Sequence, residues 1–187
     1  SKFASSTKQR TMKTIFTTVL IMGLIAGQGT FEANTSKSEF LVKGTSTVHD
    51  WESVINEYTV KGALNDQTIN NLHVSVVSKS IKSGKSIMDD KTYEALEAKE
   101  YPNIIFKANE LTINDGKING KGILSLVGKE KEVPFTATTK QLGDGQLQVS
   151  GQVNLVMSEF GIEPPTAMFG TLTTGDEVTI EYNFYLN

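Results

Sequence analysis

The sequence contains no cysteine and only two histidines. Without cysteine, neither a disulfide nor a lipid-modified cysteine is possible, so the folded domain must be stabilised by its apolar core alone. A zinc site would need both His49 and His73 together with carboxylates, and their positions show no ligand spacing. We therefore predict no metal site and no cofactor.

The chain also lacks an apolar run of the roughly 20 residues that a spanning helix needs. The run Ile15–Ala26 has about a dozen residues, well below that length. It follows the basic stretch Lys8–Lys13 and precedes small residues, an order typical of a secretory signal peptide. We predict that residues 1–33 are a signal peptide with an upstream leader, cleaved between Ala26 and Ala33. The protein would then have no permanent membrane anchor and be periplasmic or secreted.

Positive charge is scarce. The formal net charge is −3, and removal of residues 1–33 takes away four basic residues and Glu32, which leaves 14 Lys against 20 Asp plus Glu, a net charge of about −6. Nucleic-acid phosphates require a basic surface. We therefore predict that the protein binds no nucleic acid.

The rest of the chain, residues 34–187, shows apolar residues at every second position, which is typical of strands with one buried face. Turn sequences rich in glycine, such as Asn114-Asp115-Gly116, separate these segments and predict antiparallel neighbours. The eight predicted strands contain Phe40–Thr45, Ser53–Leu64, Leu72–Val76, Ile104–Ala108, Ile118–Leu126, Val133–Ala137, Leu147–Leu155 and Val178–Leu186.

One segment breaks the alternation. Ser86–Lys99 places Tyr93 and Leu96 on one helical face, with Ser86 as a plausible N-cap and Asp89 three residues later. We predict an all-β domain in which eight antiparallel strands close into an up-and-down barrel, with this short helix between strands 3 and 4. A two-sheet sandwich is the alternative architecture.

The face of the strands that we take as inward is apolar. Gly62, Gly120, Gly122 and Gly151 lie on this face. Their missing side chains leave room for a cavity, or alternatively bend the strands so that the barrel can curve.

The turn between the first two strands contains Ser46, His49, Asp50 and Trp51. Adjacent residues in one turn rarely converge into a Ser-His-Asp triad, and no Gly-x-Ser-x-Gly elbow accompanies them. A histidine bonded to the turn backbone is the favoured interpretation, and we predict no catalytic residue. We expect Trp51 to be largely buried where the two strands meet.

Four motifs follow one another along the chain. They are Ser46-Thr-Val-His-Asp-Trp51, Lys91-x-Tyr-x-Ala-Leu-x-Ala-Lys-x-Tyr-Pro-x-Ile-x-Phe106, Gly122-x-Leu-x-Leu-x-Gly-Lys-x-Lys-x-Val133, and Phe160-Gly-Ile162 before Gly175-Asp-Glu-Val178. Together, and in this order, they resemble the YceI-like family. The resemblance implies a lipocalin-like antiparallel barrel, usually exported to the periplasm, whose apolar lumen binds a long polyisoprenoid chain. Here Met157-Ser158-Glu159 stands where members often carry an arginine.

These observations predict an exported carrier or sequestering protein, not an enzyme, that binds a polyisoprenoid or similar long-chain apolar lipid and keeps its headgroup near the rim. A homodimer is an open alternative to a monomer. The predicted ligand-binding residues are Tyr58, Val60, Phe106, Gly122, Leu124, Phe135, Gly151, Val153 and Phe184, with rim candidates His49, Tyr101 and Phe160.

Two other functions stay open. A closed-core stress-response or interaction module would bind no ligand and would have no cavity. An enzyme acting on an isoprenoid would need titratable groups in the pocket, for which His49, Tyr101 and Glu159 are the candidates near the rim.

Overall fold

The structure is a computed structural model that describes residues 29–187, apart from the side chain of Asp144. The predicted signal peptide up to residue 28 lies outside the described residues. The described chain forms one helix and twelve strands. They are β1 (Gly29–Glu32), β2 (Glu39–Ser46), β3 (Trp51–Ile55), β4 (Tyr58–Asn65), β5 (Thr68–Val77), β6 (Ile81–Lys82), α1 (Ser86–Ala95), β7 (Asn103–Asn114), β8 (Lys117–Leu126), β9 (Lys129–Gln141), β10 (Leu147–Val156), β11 (Thr166–Ala167) and β12 (Leu172–Leu186).

All the strands pair antiparallel in one curved sheet, in the order β1-β4-β5-β7-β8-β9-β10-β12-β2-β3-β6, with β11 paired to β12. The last residue of β1 and the residue that follows it bring the two sides of the sheet together. Ala33 N donates to Val60 O at 3.0 Å, while Glu32 and Asn187 exchange two backbone hydrogen bonds of 3.1 and 3.3 Å. The sheet therefore curls into a barrel-like shape that is joined at one end.

The all-β antiparallel fold with one helix between the third and fourth predicted strands is confirmed, but the predicted count of eight strands is wrong. β1, β6 and β11 were not predicted. In addition, the predicted second strand is two strands, β3 and β4, which pair with different neighbours.

The break between β3 and β4 changes which side chains face inward. Asn56 leaves the ladder, and both its backbone N–H and its side-chain amide donate to Ser80 O, at 3.2 and 3.1 Å. In β3 it is therefore Ser53 and Ile55 that are buried, whereas Val54, predicted to face inward, is exposed.

The helix α1 is shorter than predicted and begins differently. Lys85, not Ser86, occupies the N-cap position, and it makes no side-chain cap bond. Asp89 instead ties α1 to the preceding loop, because its Oδ1 accepts from Ser83 N at 2.7 Å and from Ser83 Oγ at 2.8 Å. These hydrogen bonds, with Lys82 Nζ at 3.6 Å, hold the pKa of the Asp89 carboxyl below its usual value.

A line of aromatic rings crosses the interior. Phe106 stacks on Phe135 at 5.6 Å between ring centroids, Phe135 on Tyr182 at 5.5 Å, and Tyr182 on Phe184 at 5.5 Å. Phe40 stands edge-on to Phe184 at 5.1 Å and to Tyr58 at 5.2 Å. We call these six residues the aromatic row.

The aromatic row divides the barrel into two parts, because the alternation along each strand places inward side chains on both sides of it. On one side the interior is packed, and we call this side the closed end. Its buried side chains include Leu111, Ile118, Ala137, Leu147, Val149 and Leu186.

Candidate functional site

A cavity of about 320 Å³ lies on the other side of the aromatic row. Five of the six aromatic-row residues, all except Tyr58, line it. Its walls are largely apolar because strands β7 to β12 continue their inward alternation past the row. The wall residues include Ile104, Leu124, Val133, Val153, Leu155, Val178 and Ile180.

Three segments surround the mouth of the cavity. The β2–β3 turn contributes Val48 and His49, one side of α1 contributes Met88 and Lys91, and the segment between β10 and β12 contributes residues such as Ala167.

The polar groups of the β2–β3 turn bond to backbone. Ser46 Oγ donates to His49 O at 2.7 Å and accepts from His49 N at 3.2 Å. His49 Nδ1 lies 2.8 Å from the carbonyl oxygen of Asp50, to which it donates. The arrangement forms no Ser-His-Asp triad.

The cavity lining is almost free of charge. Among the described residues, Lys91 is the one Lys, Arg, Asp or Glu that lines it, and its Nζ is already 2.8 Å from Glu94 Oε2. Tyr182 donates its hydroxyl to Thr136 O at 2.7 Å, and burial raises its pKa, so it stays neutral. An uncharged ligand body is therefore what this interior accommodates.

The structure brings together five of the nine predicted ligand-binding residues. Phe106, Leu124, Phe135, Val153 and Phe184 line the cavity. Tyr58 and Val60 do not line it; both are buried in the main core cluster. Whether any of these side chains contacts a ligand remains a prediction.

Gly122 and Gly151 lie outside the lining, and their missing side chains do not open the cavity. A Cβ on Gly122 would lie 2.6 Å from Phe106 Cε2 and 2.5 Å from Lys107 O. A Cβ on Gly151 would lie 2.5 Å from Thr136 O and 2.7 Å from Tyr182 Oη. The space is already occupied by aromatic rings and backbone.

The three predicted rim residues lie in different places. His49 is at the mouth. Tyr101 is outside the lining, against the β8–β9 turn, where its hydroxyl lies 2.7 Å from the position of a Cβ on Gly128. Phe160 is fully buried in a second cluster, with Lys131 Nζ 5.7 Å from its ring centroid.

Trp51 is a lining residue that sequence reasoning assigned only to packing. It is partly buried, and its Nε1 donates to Thr45 O at 3.0 Å. Its indole lies over Gly44, the residue paired with it across the β2–β3 ladder. The α1 lining residues were also missed, since a short helix between strands gives no sequence signal for the side it turns toward the barrel.

A second concavity of about 630 Å³ lies on the outer face of the sheet and is more open than the first. Its side chains are mainly polar, including Asn119, Thr136, Ser150 and Gln152. It offers no enclosed apolar surface, so the inner cavity is the candidate site.

Within residues 29–187, no three side chains of His, Asp or Glu are grouped as a metal ion would require. No helix in the same range has the length and apolarity to cross a membrane.

Comparison with known protein families finds a match over nearly all of the described residues. The family model described as YceI-like domain matches residues 30–186. Among curated proteins, no sequence matches.

Solved structures share the fold at low sequence identity. Burkholderia cenocepacia BcnA superposes with a TM-score of 0.72 at 18% identity, covering 83% of this chain and 99% of that one. A polyisoprenoid binding domain from Saccharophagus degradans, implicated in plant cell wall breakdown, gives 0.64 at 9% identity, covering 84% and 97%. The Campylobacter jejuni YceI protein gives 0.58 at 17% identity, covering 71% and 82%.

Proposed function

The chain belongs to the YceI-like domain family, and from that premise we propose that it binds a polyisoprenoid or similar long-chain apolar lipid in the cavity beside the aromatic row. The observation that carries this proposal is a recessed, apolar and almost uncharged cavity with Ser46, His49 and Lys91 at its mouth. The name of the Saccharophagus degradans neighbour, a polyisoprenoid binding domain, supports the ligand class.

The favourable free energy of such binding comes from the apolar tail of the lipid and not from its headgroup. Each buried CH₂ contributes about 0.8 kcal/mol, so an apolar tail binds without charged contacts. The headgroup would remain at the mouth, near Ser46, His49 and Lys91. We propose a carrier or sequestering role that involves no chemistry on the ligand.

The size of the cavity limits how much of the lipid tail it encloses. At about 320 Å³, it lies at the lower end of the roughly 300–1,000 Å³ range of small-molecule sites. Affinity should therefore rise with each added isoprene unit and then level off once the cavity is full.

The existence of a cavity argues against the closed-core module, which needs a packed interior. For the enzyme alternative, only His49 of the three titratable candidates lines the cavity; Glu159 is paired with Lys131 at 3.4 Å outside it. Neither alternative gains support from a specific contact.

The test measures prenol binding by the change in fluorescence of Trp51, the single tryptophan, which lies in the cavity lining. Val153→Phe should fill the cavity and weaken binding while the fold keeps its stability. Val149→Phe, on the same strand but in the packed closed end, should instead lower stability by about 1–3 kcal/mol through overpacking. The proposal would lose its basis if both variants lost the same amount of stability and Val153→Phe still bound prenol as tightly as the unmodified protein does.

We also propose export, with cleavage before Gly29 so that β1 is retained. The sheet uses residues ahead of position 34: Phe31 in β1 is buried, and its ring lies against Gly62 of β4. N-terminal sequencing of the exported form tests the site. Native mass spectrometry of protein from its own host would identify the bound lipid and show whether a homodimer forms.

A further inference from the structure

Four large apolar side chains project into solvent at one end of the barrel. The exposed fraction is 64% for Val48, 74% for Ile87 and 69% for Met168, and Phe169 is fully exposed. They belong to three segments: the β2–β3 turn, the first turn of α1, and the short 3₁₀ turn Met168–Gly170. We call these four residues the apolar tips.

The apolar tips surround the mouth of the cavity. Val48 lines the cavity itself, Ile87 directly precedes the lining residue Met88, and Met168 directly follows the lining residue Ala167.

The β2–β3 turn is also tied to the residues that directly follow the 3₁₀ turn. Thr47 N donates to Thr173 O at 3.0 Å, and Thr47 Oγ1 donates to Thr171 O at 3.4 Å. Two of the three segments that carry the apolar tips therefore form one braced side of the mouth.

The backbone of the 3₁₀ turn holds its apolar side chains outward. Met168 and Phe169 have φ values of +49° and +56°, a left-handed conformation that bulky residues rarely adopt. Thr171 stabilises this turn, because its hydroxyl donates to Met168 O at 2.6 Å. Folding gains no apolar burial from Phe169 in this position, and such strain is often retained where a surface has a function.

We infer that this end of the barrel docks on a lipid bilayer, with the apolar tips among the acyl chains and the cavity mouth facing the membrane. This inference rests on the proposed function, since an apolar chain could then pass between bilayer and cavity without entering water. The cavity and the apolar tips form a continuous path for such a chain.

A bilayer fits this surface better than a protein partner does. The high exposure of each apolar tip shows that they do not pack on one another. A rigid partner would need a separate pocket for each projection, whereas fluid acyl chains fill the space around them.

The charges near the apolar tips indicate how docking should respond to salt. Lys85, Asp90 and Lys91 lie within four residues of Ile87 in sequence, and Asp50 lies two residues after Val48. Because both signs are present, the surface favours apolar insertion over attraction to anionic lipid. Binding to zwitterionic vesicles should therefore persist at high salt, where attraction between exposed charges is screened.

The experiment measures flotation of the protein with phosphatidylcholine vesicles that contain no isoprenoid. Replacing both Met168 and Phe169 by Ser should reduce the vesicle-bound fraction by on the order of tenfold or more, because two apolar side chains lose their burial. Phe169→Trp should retain binding and shift its emission to the blue on contact with vesicles.

Matched controls are Val54→Ser and Ile123→Ser, which replace exposed apolar side chains on the outer face of the barrel. Both should float like the unmodified protein. Unchanged flotation of the Met168/Phe169 double variant would overturn the inference. A complete absence of flotation by the unmodified protein would also overturn it and would favour a protein partner for the apolar tips. Loss of flotation by the unmodified protein at 0.5 M salt would overturn it as well.

Ligand binding is measured separately, with prenol delivered from ethanol solution. The double variant should bind this prenol as well as the unmodified protein, because neither Met168 nor Phe169 lines the cavity. Only its uptake of prenol from vesicles should be slower. If the unmodified protein bound no prenol but still floated with vesicles, the proposed function would fail and the docking surface would stand.

Discussion

Replacing Gly122 by Ala tests how closely the aromatic row is packed. The new Cβ would lie against the Phe106 ring, 2.6 Å from its Cε2, and 2.5 Å from the carbonyl oxygen of Lys107. The ring can move toward the cavity, but the carbonyl oxygen belongs to the β7 backbone and cannot move without disturbing the sheet. We therefore expect a net destabilisation of about 2 kcal/mol, within the usual range for overpacking.

Gly120→Ala is the matched control on the same strand and face. Its Cβ would meet only the end of the Leu111 side chain, which is flexible. Glycine-to-alanine replacement at a compatible backbone conformation stabilises by about 0.4–1 kcal/mol, which offsets the small shift of Leu111. The free energy of unfolding of this variant should therefore stay within about 1 kcal/mol of the original value.

The assay is thermal and urea unfolding of both variants, followed by circular dichroism. A loss of 2 kcal/mol in a domain of this size lowers Tm by about 4–8 °C. Gly122→Ala should also weaken prenol binding, since the displaced Phe106 ring moves into the cavity. Equal Tm values for the two variants would refute the reasoning, because they would show that contact with backbone and contact with a flexible side chain have the same effect.

Two further predictions concern buried polar groups. Asp89→Asn should destabilise the protein near neutral pH, and the difference from the original should shrink as pH falls below about 4. A carboxylate whose pKa is lowered on folding stabilises fully above its unfolded pKa, near 3.9, and loses that stabilisation as pH falls through its folded pKa. A difference that does not change with pH in acid unfolding curves would contradict this. Tyr58→Phe should leave the free energy of unfolding unchanged or raise it by up to about 1 kcal/mol. Within the described residues the buried Tyr58 hydroxyl has no hydrogen-bond partner, and the nearby Ser38 hydroxyl already bonds to Asn34 O and Tyr185 N. A clear loss of stability in urea unfolding would show that the Tyr58 hydroxyl does make a hydrogen bond.

Alternation in the sequence was sufficient to predict the inward face wherever a strand is regular. β8 and β12 keep one phase along the inward-facing stretches that were predicted, so Ile118, Leu124, Tyr182 and Phe184 all point inward as expected. Positive φ at Asp115 and its following glycine likewise matches the predicted hairpin turn. These features depend on neighbouring residues only, which is why the sequence contains them.

Irregular pairing could not be predicted in the same way. In β7 the register with β8 shifts between Lys107 and Thr112. Ala108 and Leu111 are therefore both buried, although their positions differ by three and strict alternation would place them on opposite faces. In β5, Asn71 has a φ of +52° and interrupts the alternation. A bulge depends on the hydrogen bonds that the partner strands offer, and those bonds lie far away in sequence.

The roles of Gly122 and Gly151 also depend on partners distant in sequence. Strands β7 and β9 flank β8, so their backbones lie two strand spacings apart, roughly 9.6 Å, yet the Phe106 and Phe135 rings stack at 5.6 Å. The two rings must therefore lean toward each other across β8, and the Phe106 ring lies over Gly122, where any larger residue would block it.

The same geometry recurs across β10. This strand lies between β9 and β12, the Phe135 and Tyr182 rings stack at 5.5 Å, and Gly151 lies beneath the Tyr182 ring. Glycines on alternate strands thus let aromatic rings from the remaining strands form a continuous floor for the cavity. The inward glycines that suggested an open lumen therefore help to close the interior on one side of the aromatic row, and the cavity lies on the other side, where Leu124 and Val153 form part of its wall.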